Sequence, residues 1–269
     1  VADPHTDPQQ PGQALVLVTD FDGTLYRGDA PIRYYAGQAA AGLAPLERAE
    51  LLAGVEHYLV EGVAAADRAT DAVQAEAFRA AADGWEVVAE LGRRRHGLQL
   101  PRLNAAFAAT RAHMATSACA LEVPAGYAEL LSDLRADGVR VVLATNSPAA
   151  GLDELLDRLQ LRPLVDEVVS STGKPAGLER LLRRELGLPE EADGQYAGAA
   201  AARVLSIGDH WRNDIAPAAA LGAPCAYIDR FGRADGPATA AAAHIEDLLP
   251  ALRAWAAGDA RTTAPAERN

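Results

Sequence analysis

Short apolar, β-branched runs punctuate this chain at 15–18, 139–143, 167–169, 204–207 and 225–228. A brief apolar run bounded by turn residues reads as a strand buried on both faces. Segments with apolar residues at helical spacing lie between the later runs, at 125–136, 152–161, 176–186 and 215–221. Gly138, Gly187 and Gly222 stand where three of these helices should stop. Strand and helix alternating at this spacing predict βαβ units and a doubly wound parallel sheet. Residues from about 28 to 120 break the rhythm. They hold long Ala/Leu/Glu/Arg segments at 45–60, 64–92 and 101–118, broken at Gly62, Gly97 and Pro101, and no convincing strand. That interval is too long for an ordinary connection. It reads as an all-helical insertion placed as a cap over the carboxyl end of the sheet.

The expected organisation is therefore an α/β core from 14–27 and 120–258, a helical cap at 28–119, and flexible tails at 1–13 and 259–269. Residues 189–202, rich in Ala, Gly and Glu, read as a surface loop. Composition agrees with an α/β protein: 49% of the 269 residues are hydrophobic and only 5% aromatic. The formal net charge of −12 repels nucleic-acid backbones and anionic membranes, and no basic stripe offsets it. No apolar run approaches a membrane span. Cys119 and Cys225 fit neither a metal finger nor a disulfide framework. A cytoplasmic enzyme, monomeric or homodimeric, is expected.

The residues at the end of each strand matter more than the totals. The first run leads into Asp20-Phe21-Asp22-Gly23-Thr24, and the second into Thr145 and Asn146. The third leads into Gly173-Lys174-Pro175, and the fourth into Gly208-Asp209-His210-Trp211-Arg212-Asn213-Asp214. A parallel sheet brings all four clusters to one edge, in the crevice where such sheets bind ligands. Lysine and arginine total 25, and Lys174 is the single lysine, so a compact ammonium is wanted there where a planar guanidinium would not fit. Asp20, Asp22, Asp209 and Asp214 would crowd negative charge around one point. At an effective dielectric of about 20, two unit charges about 4 Å apart interact by about 4 kcal/mol. One lysine cannot offset that. A hard divalent cation such as Mg²⁺ can, and it suits an all-oxygen site.

These four motifs, in this order, resemble those of the haloacid dehalogenase-like superfamily, most of whose members hydrolyse phosphate esters. The resemblance covers about 14–27, continuing through Leu25, and 120–250. It implies a Mg²⁺-dependent phosphatase acting on a small phosphomonoester. Asp20 would be the nucleophile that becomes an aspartyl-phosphate. Asp22 would be the general acid and base, which calls for a raised pKa. Thr145 and Asn146 would meet the phosphoryl group, and Lys174 would hold nucleophile and phosphoryl oxygens. The metal would be bound by Asp20, the backbone carbonyl of Asp22, Asp209 and Asp214.

Departures narrow the reading. The superfamily's dehalogenases replace the second acid with tyrosine, whereas Asp22 is present. Its phosphonate-cleaving members use a cap lysine, and 28–120 contains none. Its sugar phosphomutases carry a histidine soon after the first motif, and Arg27 to Tyr35 has none. A phosphomutase and a non-catalytic binding protein are the competing readings; the latter expects a lost carboxylate, and none is lost. Around the site, His210 or Trp211 is expected at its mouth, and Arg27 and Arg33 are placed to reach a distal anion on the substrate. Tyr34, Tyr35 and Trp85 read as packing, Cys119 and Cys225 as small buried hydrophobes, and His57, His96 and His113 as ordinary cap residues.

Overall fold

A computed structural model describes residues 14–189 and 201–258. The expected tails, and most of the expected loop at 189–202, lie outside the described residues. The strands are β1 (Val16–Thr19), β2 (Arg140–Ala144), β3 (Glu167–Val169), β4 (Val204–Gly208), β5 (Cys225–Ile228) and β6 (Ala240–Ala242). They form one parallel sheet in the order β3-β2-β1-β4-β5-β6. β1 is central: Thr19 pairs with Leu143 on one side and Ile207 on the other. The order reverses between β1 and β4, which makes their carboxyl ends the switch point of the sheet.

β1 is buried along its whole length, as a central parallel strand must be. Its side chains divide between two cores by simple alternation. Leu17 joins Leu143, Ile207 and the leucines of 127–136 on one face, and Val16 and Val18 join Val142, Val204 and Leu178, Leu181 and Leu182 on the other. The helices covering the sheet are α6 (Tyr127–Ala136), α7 (Leu152–Arg158), α8 (Ala176–Leu186), α9 (Ala216–Ala220) and α10 (Leu249–Ala256). The helix expected at 215–221 is shorter and is preceded by a π turn, Trp211–Ile215. β6 carries only alanines, so no β-branched pattern announced it.

The interval before β2 holds α1 (Ala30–Ala39), α2 (Pro45–Glu61), α3 (Ala72–Ala80), α4 (Gly84–His96) and α5 (Leu100–Met114). They share a hydrophobic cluster of their own that includes Tyr35, Leu51, Tyr58, Phe78, Val88 and Leu91. The segment expected as one helix over 64–92 is broken twice. Asp71 accepts from the Gln74 N–H at 2.9 Å, and Asp83 from the Glu86 N–H at 2.7 Å, each as the N-cap of a new helix. Pro101 starts a helix rather than ending one, since a first-turn proline forgoes no hydrogen bond. Pro31 does the same for α1, which the sequence pattern did not separate from its surroundings.

The helical insertion is tied to the sheet at several points. Arg27 and Glu122 form an antiparallel bridge where the chain leaves and re-enters the core. Phe231, just after β5, belongs to the helical cluster and sits 5.0 Å from Tyr58 between ring centroids. Gly62, at φ +62°, lets the Val63 N–H reach the Phe231 carbonyl at 2.9 Å, where a Cβ would lie 2.3 Å from that oxygen.

Candidate active site

Asp20 leaves the end of β1 with its N–H donating to the Ile207 carbonyl at 3.0 Å, which places it directly beside β4. Gly23, at φ +80°, then turns the chain so tightly against the next motif that a Cβ would fall 2.0 Å from Asp209 Oδ2. Asp214 is carried back to the same point by the π turn. The His210 N–H donates to its Oδ2 at 3.0 Å, and the Ser206 hydroxyl to its carbonyl at 2.7 Å. Lys174 Nζ donates to Asp20 Oδ1 and to Asp214 Oδ1, both at 2.6 Å, with its side chain 3% exposed. Asn146 steadies that lysine's loop by accepting from the Lys174 N–H at 2.8 Å. Thr145 is buried, with its hydroxyl oxygen accepting from the Ser147 N–H at 3.0 Å.

Asp20, Asp22, Thr145, Asn146, Lys174, Asp209 and Asp214 all line one cavity of about 160 Å³. The structure thus brings together every residue singled out in the four motifs. His210 also lines it, while Trp211 packs away on Tyr227. Arg27 and Arg33 are each engaged in ion pairs: Arg27 with Glu122 and Glu246, and Arg33 with Glu56 and Asp29.

Several residues at the site belong to no motif. Asp22 accepts from the Tyr26 hydroxyl at 2.6 Å and from Arg111 Nη1 at 2.7 Å, both at Oδ1, and from the Ser147 hydroxyl at 2.8 Å at Oδ2. Arg111 comes from α5, in the helical insertion. Ser147 was within reach of inference, standing two residues beyond Thr145, whereas nothing local marks Arg111. Asp83, Trp85 and Phe107 complete the cavity wall from the helical side. Trp85, expected as core, does pack against both hydrophobic clusters, and it lines the site as well. His210 Nε2 lies 3.2 Å from Glu86 Oε1, a contact between the β4 loop and α4.

The electrostatics follow from burial first and from crowding second. Burial drives Asp20 up to about 7; Lys174 opposes the rise, and the carboxylates of Asp214 and Asp22 add to it. Burial, then Asp20 and Asp83, push Asp209 well above its ordinary value. Burial alone would lower the Lys174 ammonium, yet Asp20 and Asp214 hold it above its usual value. A divalent cation fits this set. Carboxylate oxygens of Asp20, Asp209 and Asp214 lie within 4.8 Å of one another, and an all-oxygen donor group suits a hard ion. The raised carboxylates mark the repulsion that such an ion would relieve.

The profile of the haloacid dehalogenase-like hydrolases matches residues 15–222. This chain belongs to that family. No curated protein matches the chain in sequence. Solved structures do. A haloacid dehalogenase-like family hydrolase from Xanthomonas campestris is 20% identical, with a TM-score of 0.53 over 94% of this chain and 97% of that one. A predicted phosphoglycolate phosphatase from Haemophilus somnus is 14% identical, with a TM-score of 0.56 over 90% and 100%. The putative hydrolase YfnB from Bacillus subtilis, solved bound to magnesium, is 15% identical, with a TM-score of 0.54 over 89% and 99%. At these identities the likeness concerns the fold.

Proposed function

We propose that this hydrolase is a Mg²⁺-dependent phosphatase that cleaves a small phosphomonoester through an aspartyl-phosphate on Asp20. The observation that carries the reading is the pair at the end of β1. Asp20 is held by Lys174, and Asp22 stands over the same cavity with its own separate set of donors. Two carboxylates in different surroundings suit two different tasks. A dehalogenase would lack Asp22.

Asp20, Asp209 and Asp214, with the Asp22 carbonyl, would hold the cation, which would supply charge neutralisation for the phosphoryl oxygens. In the first step an Asp20 oxygen attacks phosphorus. The bond from phosphorus to the ester oxygen breaks, and Asp22 passes its proton to the departing alcohol. In the second step Asp22 takes a proton from water, whose oxygen attacks phosphorus and releases the Asp20 carboxylate and inorganic phosphate. Lys174 keeps Asp20 aimed throughout and faces the negative charge on the transferring group. Thr145 presents its hydroxyl to that group, with Asn146 fixing the lysine loop. The helices of 28–119 act as a cap that opens for entry and closes to exclude water. The YfnB structure is described as revealing interdomain movement, which is in keeping with this reading.

The test compares Asp20→Asn with Asp22→Asn on an alkyl phosphate and on p-nitrophenyl phosphate. Asp20→Asn is expected to lose all turnover and to form no phosphoenzyme. Asp22→Asn is expected to lose about 10²–10⁴-fold on the alkyl ester. Its loss should be smaller on the aryl ester, whose leaving group scarcely needs a proton. Near-normal turnover by Asp20→Asn, or phosphate trapped on another residue in the mass spectrum, overturns the mechanism. EDTA is expected to abolish activity, and Mg²⁺ but not Ca²⁺ to restore it, because calcium prefers more ligands and looser geometry. Full turnover after thorough chelation contradicts the metal assignment.

A further inference from the structure

A second cavity, of about 220 Å³, adjoins the catalytic one, and Asp83, Trp85 and Asp209 form part of the wall of both. Together the two fall within the range of about 300–1,000 Å³ typical of small-molecule sites. We propose that this second cavity receives the leaving alcohol of the substrate, and that it selects an alcohol carrying no second anion, uncharged or cationic where it meets Asp83. The inference rests on the phosphatase reading and adds the substrate class to it.

Uncommitted charge in the cavity wall points to this selectivity. Two guanidiniums line the cavity, and both are already engaged. Arg27 pairs with Glu122 at 2.7 Å and with Glu246. Arg230 pairs with Asp29 at 2.6 Å and lies 4.9 Å over the Phe231 ring. His244 stands on the exposed rim. Asp83 is different: its Oδ1 accepts from the Glu86 N–H, and it forms no ion pair among the described residues. Burial, then the neighbouring Glu86 carboxylate, raise it to about 6, while the Glu86 and Trp85 N–H groups and the charge of His210 oppose the rise. A second carboxylate or phosphate on the substrate would lose its water here, facing Asp83 with no unpaired guanidinium to meet it. An ammonium or hydroxyl would instead find an acceptor. Ile32, Trp85, Phe231 and Ile245 supply apolar wall for the carbon body of the alcohol.

The experiment measures kcat/KM of the full chain with Mg²⁺ on esters of matched size. 2-Phosphoglycolate and 3-phosphoglycerate bear a second anion; glycerol 1-phosphate is uncharged beyond its phosphate, and phosphoethanolamine is cationic there. The last two are expected to exceed the first two by about tenfold or more. Asp83→Asn and Asp83→Ser remove the charge and keep an N-cap acceptor for α4. Both are expected to narrow that ratio to within about threefold. Equal or better turnover of the carboxylate esters by the unaltered chain overturns the proposal, as does a ratio that neither variant moves. If the unaltered chain hydrolyses none of these esters and leaves p-nitrophenyl phosphate intact as well, the phosphatase reading itself fails and the proposal falls with it. Turnover of the aryl ester with a preference for 2-phosphoglycolate and 3-phosphoglycerate refutes the cavity assignment alone.

Discussion

Arg111 is 5% exposed; its Nη1 donates to Asp22 and, at 3.7 Å, to the Met114 sulfur, and its guanidinium lies 5.3 Å over the Phe21 ring. Its Nε and Nη2 are buried and find no partner among the described residues. A guanidinium buried with two nitrogens unpaired costs stability, and its packing on Phe21 and its contact with Asp22 stand against that cost. Arg111→Met is expected to lower kcat on an alkyl phosphate by about 10–100-fold, with a smaller change in KM and a smaller loss on p-nitrophenyl phosphate. Arg111→Lys should recover only part, because an ammonium lacks the planar fork. An equal loss on both esters, or none, would assign Arg111 to packing alone. At this scale the sequence was informative where chemistry is local. Asp20 and Asp22 are two positions apart on one strand end, and Lys174 is the only residue of its kind. Arg111 meets Asp22 across 89 positions, and no spacing rule reaches that far.

At the scale of elements, the loop between β3 and α8 shows how closely the site depends on a helix start. A Cβ on Gly177 would sit 1.6 Å from the Thr172 carbonyl oxygen, in the loop that carries Lys174. Gly177→Ala is expected to destabilise the protein by about 1–3 kcal/mol and to reduce turnover with it, as read by urea unfolding and kcat. Gly37→Ala is the control. Gly37 lies within α1 with open space around its Cβ position, and the substitution should stabilise by about 0.5–1 kcal/mol. A neutral Gly177→Ala would show that the α8 start can move without harm. The strands on the central sheet were legible because they are continuously apolar. The helical insertion was legible as helical and in its breaks at Gly62 and Gly97, but not in the division of 64–92. The two breaks it hid come from single caps at Asp71 and Asp83, which local hydrogen bonding decides and an averaged pattern overlooks.

For the whole molecule, concentrated carboxylates predict an unusual dependence of stability on pH. In the metal-free protein Asp20 is raised to about 7 and Asp83 to about 6, from an ordinary 3.8, both chiefly by burial. Between about pH 4 and 7 the folded chain therefore binds more protons than the unfolded chain, so this contribution falls as pH rises. His210 is raised too: burial opposes the rise, but its bond to Glu86 prevails, so its stabilisation is present at low pH and lost at higher pH. Carboxylates held low by side-chain and backbone donors, such as Glu56 and Asp166 beside arginines, act in the opposite sense, stabilising above about pH 4 and losing that effect in acid. The metal-free thermal midpoint is thus expected to fall by several degrees from pH 5.5 to pH 8, and Mg²⁺ to raise it more at pH 8 than at pH 5.5. A midpoint that rises over this interval without metal would contradict the assignment. No helix among the described residues is long and apolar enough to cross a membrane.

The sequence by itself determined the parallel sheet, the four polar clusters at its carboxyl edge and the acidic group among them that could hold a cation. Each rests on a short-range rule: continuous apolar strands, turn residues at their ends, and like charges converging where parallel strands end together. Only the tertiary structure decided which side chains hold Asp22, that Trp85 lines the site as well as packing on the core, and that Arg27 and Arg33 are already paired. Those outcomes depend on how the helices of 30–114 settle over the sheet. That packing is a sum of many weak apolar contacts between residues far apart in the chain, and it leaves no periodic trace along it.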